Sequence, residues 1–256
     1  MEYLVSAVNA PDDLPERMHL DADALIVNQT DHYDYGERTC AGHRIRRIDT
    51  AERGVGLSRN TALQRGGGDI LLFSDEDIVY GDGAAKAVLQ AFAEHPEADM
   101  LLFNVKVAEQ RRTYWTESFH RVGLHNCGRY PAYSFALRRE RMQEVNLSFH
   151  QWFGGGARYS NGEDSLFISD CIRRGLRVCA VPVCIGEEIP RPSTWFSGYN
   201  EKFFYDRGVL YHYLYGALAP LMARRFLLKN RSVMCTDIPY GKALGLMKKG
   251  IRREKE

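Results

Sequence analysis

The chain has 256 residues, of which 45% are hydrophobic and 11% are aromatic. This length and apolar content are enough to bury a core, and they exclude a wholly disordered chain. With 34 Lys and Arg against 33 Asp and Glu, the formal net charge is +1, which argues against a nucleic-acid-binding protein.

The first 110 residues alternate between short apolar runs and helical segments. Strands are predicted at residues 3–8, 24–27, 44–48, 70–73 and 100–107. Helices are predicted at residues 57–65 and 84–95, and we expect Ser58 to cap the first of them and the glycines at 66–68 to end it. This alternation predicts an α/β fold with a mainly parallel sheet flanked by helices.

The second half of the chain is less regular. Strands are predicted at residues 133–137 and 176–183, and helices at 138–145 and 163–174. Four glycines within residues 151–162 predict a loop, and the aromatic-rich residues 199–229 are predicted to be helical. We assign residues 1–190 to one domain and residues 191–256 to a helical extension with a basic tail, which is not an independent domain.

Two carboxylates follow the strand predicted at residues 70–73. Asp75 and Asp77 are two positions apart, a spacing that places both side chains on one face of a strand. Mg²⁺ and Mn²⁺ prefer such oxygen ligands together with substrate phosphates. A second Asp-x-Asp pair, Asp21 and Asp23, precedes a strand and is interpreted as a solvated turn, because α/β sheets bind ligands at the carboxyl ends of their strands. Asp75 and Asp77 are therefore the predicted metal ligands.

The segment GVGLSRNTALQRGGGDILLFSDEDI, residues 54–78, resembles the family 2 glycosyltransferases with the GT-A fold. It looks like that family's glycine-containing segment, the Arg-Asn pair that opens a helix, and the strand that ends in Asp-x-Asp. A second match is Asn-Gly-Glu-Asp at residues 161–164, followed by SLFISDCIRRGLRV, which resembles the family's Gly-Glu-Asp motif and the helix behind it. The resemblance covers residues 1–185. It implies a GT-A catalytic domain that transfers a sugar from a nucleotide-sugar to an acceptor hydroxyl, usually with inversion.

The resemblance also implies roles in catalysis. Asp164 matches the general base that deprotonates the acceptor hydroxyl, with Glu163 binding the acceptor or orienting Asp164. The alternative is that these two first-turn acids only complement the helix dipole. Mn²⁺ or Mg²⁺ held by Asp75 and Asp77 neutralises the charge that develops on the departing nucleoside diphosphate.

Five residues are candidates for donor binding: Asn9, Asn28, Arg59, Asn60 and Asp75. Arg59 and Asn60 match a family pair near the donor, although a solvated arginine and a helix-capping asparagine are the structural alternatives. Asn9 matches the place where the family's first loop approaches the nucleotide base. Asn28 stands where the family commonly has an acidic pair, which leaves the nucleotide open, and we take a UDP-sugar as the favoured donor.

Two family features are missing. No histidine follows the strand at residues 176–183 until His212, so we assign no third protein ligand to the metal. The Gln-x-x-Arg-Trp motif of processive enzymes is also missing, which favours non-processive transfer of a single sugar, of the hexosyltransferase type.

Aromatic residues cluster around the Glu163–Asp164 motif, and core packing is the ordinary explanation for most of them. They are Trp152, Phe153, Tyr159, Trp195, Phe196, Tyr199 and Tyr205. Aromatic faces also stack on sugar rings. Trp152 is the preferred acceptor contact, because the glycines beside it allow the loop to close over a substrate. The expected acceptor is a glycan or a lipid-linked sugar in surface polysaccharide or glycoconjugate biosynthesis.

Cysteine usage and the N-terminal residues predict a cytoplasmic protein. The six cysteines form no CxxC pair and no zinc spacing, which is typical of reduced cysteines. Residues 1–13 lack the basic start and long apolar core of a signal peptide. The longest stretch without a charged residue, 208–223, has 16 residues, fewer than the roughly 20 that span a bilayer.

The last 28 residues hold eight Lys and Arg against three acids. Together with the apolar and basic residues 221–228, they favour either peripheral contact with an anionic membrane or a solvated basic tail. Two alternative functions stay open: a nucleotidyltransferase on a similar sheet, which residues 8–13 disfavour because they contain no glycine, and a non-catalytic carbohydrate-binding protein.

Overall fold

A computed structural model describes residues 1–109, 112–190 and 198–253. Within these residues, ten strands form one sheet. They are β1 (Glu2–Val8), β2 (Asp23–Gln29), β3 (Asp34–Cys40), β4 (His43–Thr50), β5 (Ile70–Asp75), β6 (Ile78–Tyr80), β7 (Met100–Lys106), β8 (His120–Arg121), β9 (Phe135–Arg138) and β10 (Val178–Glu188). The helices are α1 (Leu14–Arg17), α2 (Val55–Arg65), α3 (Ala84–Glu94), α4 (Arg139–Val145), α5 (Glu163–Arg173), α6 (Glu201–Tyr215), α7 (Ala219–Lys229), α8 (Arg231–Met234) and α9 (Tyr240–Arg252).

The strands lie in the order β3-β4-β2-β1-β5-β9-β7-β10-β6, with β8 paired to β10. The segment β4-β2-β1-β5 is parallel, and so is the pair β7 and β10. The other neighbours are antiparallel. The predicted α/β class is confirmed, and the sheet is mixed, with its parallel strands at the centre.

Helices cover both faces of the sheet, which explains why the central strands are apolar almost throughout. Side chains alternate between faces along a strand. Tyr3 and Val5 point into a cluster with α1 and α3, whereas Leu4 and Phe73 point into a second cluster with α2 and α5. A third cluster joins α6, α7 and α9. The helices of the C-terminal extension therefore share one apolar cluster with Phe153, Tyr159 and Leu166 of the preceding part of the chain.

Several sequence predictions need correction. Strand β3 was not predicted, because it is an exposed edge strand with few apolar residues. Ser58 does not cap α2: the helix begins at Val55 after Gly54, and the Ser58 hydroxyl lies buried beside Ser6. Asp21 is not simply a solvated turn residue, because it accepts hydrogen bonds from the Tyr3 hydroxyl at 2.6 Å and from the first turn of α3.

The structure extends one predicted strand, and some predicted site residues lie outside the part of the chain that it describes. Strand β10 extends past residue 183 to Glu188. The predicted aromatic residues Trp195 and Phe196, and the basic residue Lys255, lie outside the described residues. Among the described helices, none has the length and apolar character that a membrane span requires.

The parallel arrangement of β2, β1 and β5 decides where the site residues lie. The three strands are neighbours and run in the same direction, so their carboxyl ends meet at one edge. Asn28 at the end of β2, Asn9 after β1 and Asp75 at the end of β5 share that edge. In α/β proteins this is the edge at which ligands bind.

Candidate active site

Arg59 joins the two acidic motifs. From the buried face of α2, it donates a hydrogen bond to Asp75 Oδ1 at 2.9 Å and another to Glu163 Oε1 at 2.8 Å. The Arg59 side chain is only 4% exposed, and that of Glu163 is 12% exposed. The end of β5 and the start of α5 are therefore held together by one guanidinium.

The charge of Arg59 is maintained by this pairing. Burial disfavours the guanidinium cation, but the carboxylates of Asp75 and Glu163 outweigh burial and raise the pKa of Arg59 above its ordinary value. The guanidinium also lies 5.5 Å from the centre of the Phe149 ring. Its Nε is buried with no hydrogen-bond partner among the described residues. The solvated arginine that the sequence allowed is therefore excluded.

Asp164 lies in the first turn of α5, immediately after Glu163. Its Oδ1 accepts hydrogen bonds from the backbone N–H of Ser165 at 2.6 Å and from the Ser165 hydroxyl at 3.2 Å. Burial raises the pKa of Asp164 to about 7, and the negative charge of Glu163 adds to the rise. A carboxyl group with this pKa can take up and release a proton at neutral pH, which suits a general base.

The acidic string after β5 is a turn. The strand ends at Asp75, and Glu76 and Asp77 form the turn that leads into β6. The expectation that Asp75 and Asp77 share one face of a strand is therefore wrong. Glu76 accepts a hydrogen bond from the Val8 N–H at 3.0 Å, and the Asp77 carbonyl accepts one from Ile189 at 2.8 Å. These bonds hold the turn between β1 and β10.

The predicted donor-binding asparagines lie in different environments. Asn9 is exposed, with a positive φ of 50°. Asn28 is fully buried and is bonded to the Ala10 N–H at 2.8 Å and to Asp49 at 2.6 Å, so it shapes the loop after β1. Asn60 is bonded to both backbone groups of Phe149. Contact of these side chains with a nucleotide stays a prediction.

Trp152 is 54% exposed and lies at the rim of a cavity of about 510 Å³ between α2 and residues 148–152. The neighbouring loop, residues 153–156, packs against the rest of the protein at several points. Phe153 is fully buried, Gly155 accepts a hydrogen bond from the Val55 N–H at 3.0 Å, and a Cβ on Gly154 would lie 2.8 Å from the Glu163 carboxyl carbon. The loop thus carries Trp152 on its surface while its interior packs against Glu163.

Helix α6 also holds residues 160–162, which lie directly before α5, and the sequence did not indicate this contact. Asp206 is 2% exposed and accepts hydrogen bonds from the Ser160 N–H at 3.0 Å and from the Lys202 ammonium at 2.5 Å. Leu210 packs on Gly162, where φ is +113° and a Cβ would come within 2.6 Å of the leucine side chain. Asp206 belongs to no motif, so the sequence gives no signal for this contact.

A divalent cation fits this edge of the sheet only with help from a substrate. No group of three or more His, Cys, Asp and Glu side chains that could hold a metal is found in residues 1–109, 112–190 and 198–253. The carboxylates of Asp75 and Asp77 offer hard oxygen atoms, and Asp75 Oδ1 is already paired with Arg59. Mg²⁺ commonly binds one or two carboxylates and completes its shell with phosphate oxygens and water. The residues present therefore fit a cation that arrives with a diphosphate.

Comparison with known proteins identifies the class. The model of glycosyl transferase family 2 matches residues 18–160, which is more than half of the chain. The protein is a member of glycosyl transferase family 2, as the two motifs indicated. A comparison with curated protein sequences gives no match.

The fold is GT-A, as in the solved structures that resemble it. TarS residues 1–349 of S. aureus in complex with UDP-GlcNAc is 16% identical, with a TM-score of 0.64 over 98% of this chain and 82% of that one. The same protein in complex with UDP is 15% identical, with a TM-score of 0.62 over 98% and 81%. The mannosyltransferase PcManGT of Pyrobaculum calidifontis, in complex with GDP-Man and Mn²⁺, is 13% identical, with a TM-score of 0.53 over 98% and 88%.

Proposed function

We propose that the protein is an inverting, metal-dependent glycosyltransferase that moves one sugar from a nucleotide-sugar to an acceptor hydroxyl. The observation that carries this proposal is the Arg59 bridge, which brings the acidic end of β5 beside the first turn of α5, where Asp164 has a raised pKa. One edge of the sheet then combines acidic residues for the diphosphate with a base for the acceptor.

The donor is proposed to bind along the carboxyl edge of β2, β1 and β5. We assign the nucleoside side of the site to Asn9 and Asn28, and the diphosphate side to Arg59, Asn60 and Asp75. The similar structures contain UDP-GlcNAc, UDP and GDP-Man, which supports a nucleotide-sugar in general. We take a UDP-sugar as the first donor to test.

Asp75 and Asp77 are the proposed ligands of Mn²⁺ or Mg²⁺, which when bound supplies positive charge to the leaving diphosphate. Asp164 accepts the proton of the acceptor hydroxyl, and the freed oxygen attacks the anomeric carbon as the bond from that carbon to the diphosphate breaks. Attack from the side opposite the leaving group inverts the configuration. Glu163, held by Arg59, orients the acceptor, and Trp152 offers a ring for stacking on the acceptor sugar.

A thermal-shift panel of nucleotide-sugars with Mn²⁺ or Mg²⁺ tests the donor side. A ligand that binds the native state raises its melting temperature. We expect one nucleotide-sugar to raise it, with the shift lost on chelation or in Asp77→Asn. Asp69→Asn is the matched control, because Asp69 is an exposed acid at the other end of β5. No shift with any nucleotide-sugar would contradict the proposal.

The acceptor is proposed to be a glycan or lipid-linked sugar of a surface polysaccharide or glycoconjugate, used at the inner face of the membrane. Helix α9 buries its apolar face against α6 and exposes Lys248, Lys249 and Arg252. It could therefore contact a membrane through its positive charge, but not through apolar side chains. Helix α7 exposes Leu221 and Leu228 beside basic residues and is the better candidate for membrane contact.

Sedimentation with anionic and neutral vesicles tests the membrane contact. We expect salt-sensitive binding to the anionic vesicles, and weaker binding after Leu221→Ser with Leu228→Ser. The matched control is Leu89→Ser on α3, another exposed helix leucine. Equal sedimentation of the double variant and the wild type would contradict this contact.

A further inference from the structure

A second concave surface shares no lining residue with the cavity beside Trp152. It is a cavity of about 400 Å³ between residues 113–129 and helices α6 and α7. The side chains that matter here are Arg129, Tyr211, Tyr215, Arg225, Phe226 and Lys229. We call it the basic–aromatic cavity.

The charge of this cavity is one-sided. Arg129, Arg225 and Lys229 line it, and none of its lining residues is an Asp or Glu. In the part of the chain that the structure describes, these three side chains have no ion pair, in contrast to Arg59 and Arg38, which are paired with acids. Unpaired cations around a concave surface attract anions.

A further cation, Arg207, packs against Phe226, one of the aromatic residues that line the cavity. The Arg207 guanidinium is 5.3 Å from the ring centres of both Phe203 and Phe226. Its Nε is buried with no hydrogen-bond partner in the described residues. It adds positive potential to a cavity that already carries three basic side chains.

The aromatic side chains that line the cavity, Tyr211, Tyr215 and Phe226, suit contact with a saccharide. The Tyr211 ring lies 5.0 Å from Tyr215 and 5.7 Å from Phe226, in edge-to-face arrangements. Tyr215 and Phe226 are only partly buried, so part of each ring remains available to a ligand. Rings of this kind pack against the apolar faces of sugars, and the tyrosine hydroxyls bond to their polar edges.

The cavity lies next to the proposed base. Residues Cys127–Arg129 form a short 3-10 helix that packs on the first turn of α5. A Cβ on Gly128 would lie 3.6 Å from the Ser165 hydroxyl oxygen, and that hydroxyl is bonded to Asp164. One layer of backbone thus separates the cavity from the Asp164 carboxylate, which places the cavity close to the proposed base.

We propose that the basic–aromatic cavity binds a phosphate-bearing saccharide unit of the acceptor. The phosphate pairs with Arg129, Arg225 and Lys229, and the sugar packs on Tyr215 and Phe226. The assignment as an acceptor subsite rests on the proposed function, whereas binding of a saccharide phosphate here does not.

Isothermal titration at low ionic strength tests the cavity, with maltose 1-phosphate, maltose and inorganic phosphate as probes. We expect maltose 1-phosphate to bind more tightly than either of the others, and its binding to weaken with added salt. Arg225→Ala should weaken it about tenfold, because a charge-assisted hydrogen bond is lost. Arg129→Ala should act in the same direction.

The matched control is Arg224→Ala, an exposed neighbour on α7 that does not line the cavity, and it should bind like the wild type. Unchanged melting temperatures verify that the variants fold. The proposal is overturned if maltose 1-phosphate does not bind, if maltose or phosphate alone binds as tightly, or if Arg224→Ala weakens binding as much as Arg225→Ala does.

The donor measurement separates this outcome from failure of the proposed function. Nucleotide-sugar shifts that persist while saccharide phosphate binding is absent overturn the cavity proposal alone. If saccharide phosphate binds but no nucleotide-sugar does, the cavity remains a binding site and the transferase proposal fails.

Discussion

Arg59 of α2 donates a hydrogen bond to Glu163 of α5 across 104 positions of the sequence, at 2.8 Å. Because Arg59 also pairs with Asp75, its loss would leave two acids close together with no counter-charge. Arg59→Met should therefore lower the free energy of unfolding by about 3 kcal/mol, the usual cost of removing one partner of a buried pair. Urea denaturation measures it.

The control for this prediction is Arg65→Met, which removes an exposed arginine from the last turn of the same helix and should cost less than about 0.5 kcal/mol. Adding Glu163→Gln to Arg59→Met should restore part of the lost stability. Equal free energies of unfolding for Arg59→Met and Arg65→Met would show that the Arg59 bridge does not stabilise the fold.

Asp164→Asn should reduce sugar transfer by about 10²- to 10⁴-fold, because an amide cannot take the proton of the acceptor hydroxyl. The amide oxygen can still accept the hydrogen bonds from Ser165, so the first turn of α5 should remain intact. Initial-rate assays measure the loss, and donor binding should stay within about twofold of wild type.

Asp170→Asn removes a half-buried acid further along α5 and should leave transfer unchanged. Transfer by Asp164→Asn at a rate close to that of wild type would refute the base assignment and leave the helix-dipole role for this acid.

The raised pKa of Asp164, about 7, predicts two effects of pH. Transfer should fall as pH drops below 7, because the base becomes protonated. Stability should change in the opposite direction. Between the ordinary aspartate pKa and 7 the folded protein holds a proton that the unfolded chain has released, so stability declines as pH rises through this window.

Asp164→Asn removes this decline, and thermal denaturation at pH 5 and pH 8 measures it. The variant should gain melting temperature relative to wild type at pH 8, by about 2–4 °C for each kcal/mol, and gain less at pH 5. A gain of the same size at both values would mean that Asp164 is not the titrating group.

The contact between Asp206 and Ser160 predicts that the C-terminal extension supports residues 160–162, which lie directly before α5. Asp206→Ala should lower the free energy of unfolding by about 2–3 kcal/mol, because the Ser160 N–H loses its buried acceptor and Lys202 loses its partner. Sugar transfer should fall as well, because Gly162 and Glu163 lie only two and three residues after Ser160 and would lose this support. Asp206→Asn keeps an acceptor for Ser160 and should have the smaller effect; an effect as large as that of alanine would point to the Lys202 pair instead.

The sequence predicts local elements well and distant contacts poorly. The apolar runs that became β1, β2 and β5 are recognisable because both of their faces are buried. Strand β3 has no such pattern, since it lies exposed at the sheet edge. Ser58 has the chemistry of a cap, but the N-cap position is taken by Gly54, with a φ of +124°, four residues earlier.

In the candidate site, too, the sequence predicts local motifs but not the contacts between distant residues. Asp75, Glu163 and Asp164 are predicted from two short motifs and a family resemblance, and their roles stay predictions. The partners of Arg59 could not be found, because nothing in either motif specifies a contact over 104 positions. The contacts of Asp206 could not be predicted either, since an acid outside any motif indicates neither a buried ion pair nor a hydrogen bond to Ser160.

Product analysis after incubation with the nucleotide-sugar that binds, Mn²⁺ and a saccharide acceptor tests the central claim most directly. Chromatography of the nucleotides should show release of a nucleoside diphosphate together with an acceptor that has gained one sugar, and both should disappear on chelation and in Asp164→Asn. Pyrophosphate release from a nucleoside triphosphate would instead identify a nucleotidyltransferase. Glycan binding with no nucleotide product would contradict the transferase claim and identify a carbohydrate-binding protein.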